Sequence, residues 1–295
     1  MSGGVPILFA FLSSAVTVYV LYLVTGKFMS RLEHGNTRSY TSLGGILIIP
    51  CVCVCVVSAV CLDGILSESV TDFSRLKLFA GLFSACGVAI PYLCDDYLKK
   101  IRKVNTGLGR IIPPVGIFLV AAVYVFTMIR GGADFIFVPF CGNLGGAMVY
   151  CLVSAFVIPL AVESVRVYSS DEKSGDNSAF IMFACLLVLS FVRKSVGGAI
   201  FAGALCGVFI ALKLLNFDNE KILTGCGGKV FVGFSAVAVC YMIDSPWLFM
   251  LCGLPYIREA TGLLFKRNKP NPRLDIILGL SGGTIAVILC IAGRL

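Results

Sequence analysis

The chain has 295 residues, of which 58% are hydrophobic and only 14% charged, against roughly 25% charged residues in a soluble globular protein. A mean hydropathy of +0.95 leaves little for a soluble part, so residues 1–295 read as a single polytopic membrane domain. The formal charge of +8 does not signal nucleic acid: no basic stretch is interleaved with aromatics that would stack bases, and no nucleic-acid partner is expected.

A helix needs about 20 apolar residues to cross the hydrocarbon core. Ten candidate spans follow in chain order: 5–25, 43–62, 77–94, 111–129, 146–163, 179–193, 195–215, 229–244, 246–265 and 274–293. The expected fold is therefore an all-α integral membrane bundle of about ten transmembrane helices. No Lys or Arg precedes Lys27, so the first span is read as retained rather than as a cleaved leader. Pro113 and Pro114 suit the first turn of the fourth span and Pro246 that of the ninth, where a missing N–H costs nothing. Most of the 14 cysteines lie inside spans, among them Cys51, Cys53, Cys55 and Cys61. They read as small apolar residues, because zinc ligands need paired spacing in loops.

Loop charge sets the topology. Loops 26–42, 95–110, 163–178, 216–229 and 266–273 together hold 16 Lys and Arg, against six on the other side and two within spans. The first set is expected in the cytoplasm and both termini on the outer, periplasmic side. Five modest polar loops then face the cytoplasm, where they can converge on one site. The two halves show no inverted symmetry of the kind many transporters carry.

Within this apolar chain the run Cys94-Asp95-Asp96-Tyr97-Leu98-Lys99-Lys100 stands out. Two adjacent carboxylates beside lysines suit Mg²⁺ and phosphate chemistry, with hard oxygen ligands for the metal and cations for the phosphates. The alternative is a solvated loop at a membrane surface. Gly44 and Gly45 let the backbone approach a ligand closely, and Arg38 has the fork that clamps a phosphate. Glu259 inside a span is costly unless paired or near water. Lys266, Arg267, Lys269 and Arg273 follow it and suit a phosphate or anionic lipid head groups. The single histidine, His34, reads as a surface or structural residue.

Ten spans with Asp95-Asp96-x-x-Lys99 opening the second cytoplasmic loop resemble the polyprenyl-phosphate N-acetylhexosamine-1-phosphate transferases. That family includes the phospho-N-acetylmuramoyl-pentapeptide transferases and the UDP-GlcNAc:undecaprenyl-phosphate GlcNAc-1-phosphate transferases. The layout is similar over nearly the whole chain, and the motifs match in patches. Asn36-Thr37-Arg38-Ser39 with Gly44-Gly45-Ile46 is similar to the family's N-x-R-S … G-G-I. Asp95 to Lys99 with Gly107-Leu108 is similar to D-D-x-x-K … G-L. Lys229-Val230-Phe231-Val232-Gly233 resembles K-x-F-x-G, but Phe234 stands where the family has an aspartate. The loop from Glu163 to Ser178 keeps only Gly175-Asp176 and Ala179 of the family's acidic, glycine-containing signature. Glu259 and its apolar run resemble the family's ninth helix, whereas the histidine-rich motif that follows is absent.

The resemblance implies transfer of a sugar-1-phosphate from a UDP-sugar to a polyprenyl (undecaprenyl) phosphate in cell-envelope glycan or peptidoglycan precursor synthesis, with release of UMP. It implies Asp95 and Asp96 as catalytic residues, and Arg38, Lys99, Lys229, Gly44, Gly45, Glu259, Lys266 and Arg267 at the substrate phosphates. Mg²⁺ would be held by Asp95, Asp96 and Asp176. The setting would be the bacterial inner membrane, with a homodimer as the expected assembly. The alternatives are a catalytically degenerate relative that binds lipid phosphate without turnover, and a membrane transporter or lipid-handling protein. The donor cues conflict: the Arg-Ser pair leans to UDP-GlcNAc and the Glu259 run to the peptidoglycan precursor.

Overall fold

The computed structural model describes residues 4–32, 40–41, 44–66, 70–100, 112–133, 135–138, 142–168, 172–215, 221–222, 225–264 and 272–292; the side chains at 23–32, 40–41, 44, 96–100, 112–114, 172–176, 221–222, 263–264 and 272 lie outside that description. Eleven helices are described: α1 (Gly4–Leu32), α2 (Gly44–Leu66), α3 (Asp72–Lys100), α4 (Ile112–Arg130), α5 (Ala147–Val167), α6 (Glu172–Val192), α7 (Val196–Leu215), α8 (Gly225–Met242), α9 (Leu248–Cys252), α10 (Leu254–Leu264) and α11 (Pro272–Ala292). Two short pairs of strands accompany them, β1 (Tyr40–Thr41) with β4 (Lys221–Ile222) in parallel, and β2 (Phe135–Val138) with β3 (Gly142–Gly145) antiparallel. Seven of the described helices are long and apolar enough to cross a membrane, and Val115–Arg130 and Asn177–Val192 are shorter apolar helices. The chain is an all-α membrane protein.

The centre of the bundle is formed by α7 and α8, which are buried along most of their length. Small side chains make this possible, since they allow helix backbones to approach closely where lipid offers no hydrophobic drive. On α7, a Cβ added to Gly207 would lie 2.2 Å from the carbonyl oxygen of Phe11, so α1 sits on α7 almost backbone to backbone. Around this centre, Leu8, Leu12, Val16, Phe83, Phe118, Phe126, Phe156 and Ile288 are exposed. They form the lipid-facing coat that the hydropathy predicts.

Several boundaries differ from the sequence expectation. The helix α3 runs on to Lys100, so Asp95 and Asp96 lie in its last two turns rather than opening a loop. The pairs 95/99 and 96/100 set acid before base four residues apart, an arrangement that favours helix. Similarly, α5 continues to Val167 and α6 starts at Glu172, so most of the stretch from Glu163 to Ser178 is helical and Asp176 falls on the α6 backbone. The ninth expected span is broken into α9 and α10 at Gly253. Pro255 has no N–H for the carbonyl of Leu251, and α11 occupies that side: a Cβ on Gly282 would lie 2.1 Å from the Leu251 oxygen.

The two ends of the bundle are chemically distinct. At one end, Lys77 Nζ pairs with Asp244 at 2.5 Å and lies over the Phe73 ring. There the β2–β3 hairpin is tied down by the Phe137 N–H to the Asp244 carbonyl (2.8 Å) and by the Trp247 indole N–H to the Phe137 carbonyl (2.6 Å). The opposite end carries Asp95 and Lys229.

Candidate functional site

The aspartate end is organised by a three-helix crossing. A Cβ on Gly227 of α8 would lie 2.6 Å from Leu93 Cγ and 2.9 Å from the Leu93 nitrogen of α3. A Cβ on Gly45 of α2 would lie 2.7 Å from the Gly228 nitrogen. Only glycine permits these approaches, because such Cβ contacts are sterically excluded. Asp95 and Lys229 each follow the α3–α8 crossing by two residues. Three of the patches singled out in the sequence, those of Gly45, Asp95 and Lys229, thus meet at one junction. The parallel β1–β4 pair, Tyr40 with Lys221 and Thr41 with Ile222, joins the segments leading into α2 and α8 at this end.

Lys229 is half-buried, and its ammonium donates to the carbonyl of Tyr168 at 2.8 Å, just beyond the end of α5. The Tyr168 hydroxyl donates in turn to Asp275 Oδ2 (3.0 Å), and Arg258 Nη1 donates to Asp275 Oδ1 (2.7 Å). Asp275 is 1% exposed, so a carboxylate here needs the Arg258 charge beside it. The Tyr168 ring packs edge-on against Tyr256, 4.8 Å between centroids. Ends of α5, α8, α10 and α11 are thereby linked in one polar chain.

A second cluster lies between α3 and α5. Tyr92 OH reaches Glu163 Oε1 at 3.5 Å, and Arg166 donates to Glu163 Oε2 through Nε (2.7 Å) and Nη2 (2.6 Å). Neither Glu163, Arg166 nor Asp275 was among the sequence-predicted site residues. Their signal was present as a carboxylate and an arginine one turn apart at the end of an apolar helix, and as a lone aspartate in the first turn of another.

Of the predicted site residues, Asp95 and Glu259 are half-buried, Gly45 is buried in the crossing, and Lys229 sits beside it. Glu259 is on α10, next to Arg258. Gly44 starts α2, while Asp96 and Lys99 are placed by the α3 backbone and Asp176 by that of α6. Arg38, Lys266 and Arg267 lie outside the described residues, as does His34. Phe234 is wholly buried and packs edge-on against Tyr124 at 5.5 Å, beside Tyr241 and Tyr150. It is a core residue and faces an aromatic cluster. Among the described residues, no three His, Cys, Asp or Glu side chains gather as a metal site.

Two apolar grooves run along the flank. One, of about 400 Å³, is lined by Phe118, Phe126, Ser154 and Pro159 between α4 and α5. The other, of about 540 Å³, lies between α6 and α11; its lining includes Phe180, two residues beyond Ser178, whose hydroxyl is 3.3 Å from that of Tyr168.

No protein-family model matches the chain. It is 23% identical over 263 residues to the phospho-N-acetylmuramoyl-pentapeptide-transferase of Listeria monocytogenes, a match covering 85% of the chain and 78% of that protein. With the Shouchella clausii protein of the same name it shares 22% over 238 residues, 79% of the chain and 70% of the relative. The Bacillus thuringiensis protein of that name is 23% identical over 190 residues, 61% of the chain and 56% of the relative. The similarity spans most of the chain at low identity: the chain resembles proteins named phospho-N-acetylmuramoyl-pentapeptide-transferase along most of its length.

Proposed function

We propose that the chain is an integral-membrane transferase that moves an N-acetylhexosamine-type sugar-1-phosphate from a UDP-sugar to polyprenyl phosphate, in the synthesis of peptidoglycan or a related envelope glycan. The observation that carries this reading is the glycine crossing of α2, α3 and α8, which gathers three family-like patches at one polar end. A lipid-phosphate oxygen attacks the β-phosphorus of the UDP-sugar. The bond from that phosphorus to the bridging oxygen breaks, and UMP leaves with that oxygen.

Both reactants are anionic, so the site must offset charge that builds up between them. Lys229 has three N–H donors and uses one on Tyr168, which leaves donors for a substrate phosphate. Arg38, Lys99, Lys266 and Arg267 are the further proposed phosphate ligands. Glu259, on α10, is proposed to face the sugar. Asp95 is a hard oxygen donor at the crossing, of the kind that suits Mg²⁺; with Asp96 and Asp176 it would hold the ion, which when bound neutralises diphosphate charge. The isoprenoid tail is assigned to the α6–α11 groove, whose lining starts beside the Ser178–Tyr168–Asp275 cluster. The proposed setting is the bacterial inner membrane, in ten passes with both termini outside and as a homodimer.

One observation favours a second reading, binding of lipid phosphate without turnover. Position 234 is filled by a phenyl ring in an aromatic core, so this helix supplies no carboxylate there. Purified protein incubated with radiolabelled UDP-GlcNAc or the UDP-muramoyl-pentapeptide, undecaprenyl phosphate and Mg²⁺ distinguishes the two. Lipid-linked product and UMP, lost in Asp95→Asn, support transfer. Binding of lipid phosphate with no product from either donor supports the second reading and sinks the first.

A further inference from the structure

The crossing fixes the relative direction of two helices that do not pack closely on each other. The C-terminal end of α3 meets the N-terminal end of α8 at Leu93 and Gly227. The C-terminal end of α5 meets the same end of α8, where Lys229 donates to Tyr168. Hence α3 and α5 run parallel. Tyr92 and Glu163 set their register through the 3.5 Å contact. Residues three apart share a helix face, so one turn further along lie Asp95 on α3 and Arg166 on α5. Both residues thus lie one turn beyond the Tyr92–Glu163 contact, towards the polar end, and the Arg166 guanidinium turns back to Glu163.

Arg166 is oriented for a second partner. Its Nε and Nη2 both donate to a single oxygen, Glu163 Oε2. A guanidinium has five N–H bonds in a rigid plane, and Glu163 leaves the Nη1 amino group for another acceptor. The side chain is 36% exposed, so it is accessible from the polar end of the bundle. An exposed ion pair one turn apart on a helix stabilises a protein by only about 0.3–0.5 kcal/mol, so stability does not account for a guanidinium held in this place. A planar donor group at the end of the bundle that also carries Lys229 suits a phosphate.

We infer that Arg166 binds a phosphate group of the diphosphate-bearing substrate, with Glu163 fixing the plane of its guanidinium. The inference rests on the transferase reading and adds a substrate-binding residue to it. Binding of UDP with Mg²⁺ is measured by calorimetry on the full-length protein in detergent, alongside the KM for the UDP-sugar. Arg166→Gln should weaken UDP binding and raise KM by about tenfold to a hundredfold, the range of a charge-assisted hydrogen bond. Arg166→Lys should recover part of the loss, and Glu163→Gln should show a smaller loss because the guanidinium stays but is no longer oriented. Arg130→Gln, a cation at the opposite end stacked on Phe126, should behave as wild type.

Wild-type binding and KM in Arg166→Gln would overturn the assignment while the transfer reading stood. If Arg166→Gln fails to fold, Arg166→Lys and Glu163→Gln decide, and unchanged binding in both overturns it. A wild-type protein that binds UDP with Mg²⁺ but makes no lipid-linked product overturns transfer; loss of that binding in Arg166→Gln then still supports the phosphate contact. A wild-type protein that neither binds UDP nor makes product overturns both.

Discussion

Lys77 and Asp244 close one end of the same helix pair, α3 and α8, whose other end is closed by Leu93 and Gly227. The ion pair joins the first turns of α3 to the turn after α8 at 2.5 Å, with the lysine side chain 7% exposed and the aspartate 27%. The two helices are held at both ends by unlike devices, charge at one and backbone contact at the other. Lys77→Met should therefore lower stability by about 2–3 kcal/mol, below the roughly 3–5 kcal/mol of a fully buried pair, because Asp244 keeps some access to water. Thermal unfolding in detergent measures this, and UDP binding below the transition should be unchanged.

Removing the glycine contact should act differently. Gly45→Ala sets a methyl group against the Gly228 backbone, where no side chain can rotate aside. Overpacking of this kind costs about 1–3 kcal/mol, and here it also displaces α2 from α8. The variant should lose both thermal stability and substrate affinity. Gly116→Ala is the control: its nearest neighbour would be Pro91 Cγ at 3.8 Å. That is ordinary contact, and the helix preference of alanine over glycine, about 1 kcal/mol, makes the change neutral or stabilising.

Placing an aspartate at position 234 should not raise transferase activity. Phe234→Ala is expected to cost about 3–5 kcal/mol through loss of packing. Phe234→Asp should cost more, since it adds a buried carboxylate among tyrosine rings. Expression level and thermal midpoint report the loss. A stable Phe234→Asp protein with raised transferase activity would contradict the placement of this side chain in the aromatic core.

Asp275 accepts from two helices at once, so its replacement should be felt at both. Asp275→Ala leaves Arg258 without its carboxylate and Tyr168 without its acceptor, and about 3–5 kcal/mol is expected. The paired change Arg258→Met with Asp275→Leu should be milder than Asp275→Ala alone, because no unpaired charge is left behind. A double-mutant cycle on thermal stability would show this coupling.

The Sγ atoms of Cys53 on α2 and Cys86 on α3 are 3.5 Å apart. Copper–phenanthroline oxidation of membranes should link them, and peptide mapping should recover the 53–86 pair. Cys86→Ser should abolish that link. Failure to form it would place α2 and α3 further apart than described.

Much of the fold was legible because bilayer thickness and hydrophobic run length are local properties. The boundaries that moved were set by pairs the hydropathy does not weigh. Acid–base spacing carries α3 past Asp95 and Asp96, and Glu163 with Arg166 carries α5 past residue 163. The β2–β3 hairpin was not expected, since its anchors, Asp244 and Trp247, are more than 100 residues away in the chain. The gathering of Gly45, Asp95 and Lys229 was anticipated only as a convergence of loops. The means, glycine against backbone, depends on which helices cross and so is not readable from any one segment. Asp275 was invisible for the same reason: alone it is an aspartate in a first turn, and its meaning comes from Tyr168 and Arg258.

The break at Gly253 makes α10 a short separate lever. Its tilt is not inherited from α9 through continuous hydrogen bonds: Asp275 holds α10 through Arg258, and Tyr256 packs against Tyr168. Glu259 rides on the same lever one residue further on. Loosening that grip, as in Asp275→Ala, is therefore expected to shift Glu259 as well as to lower stability.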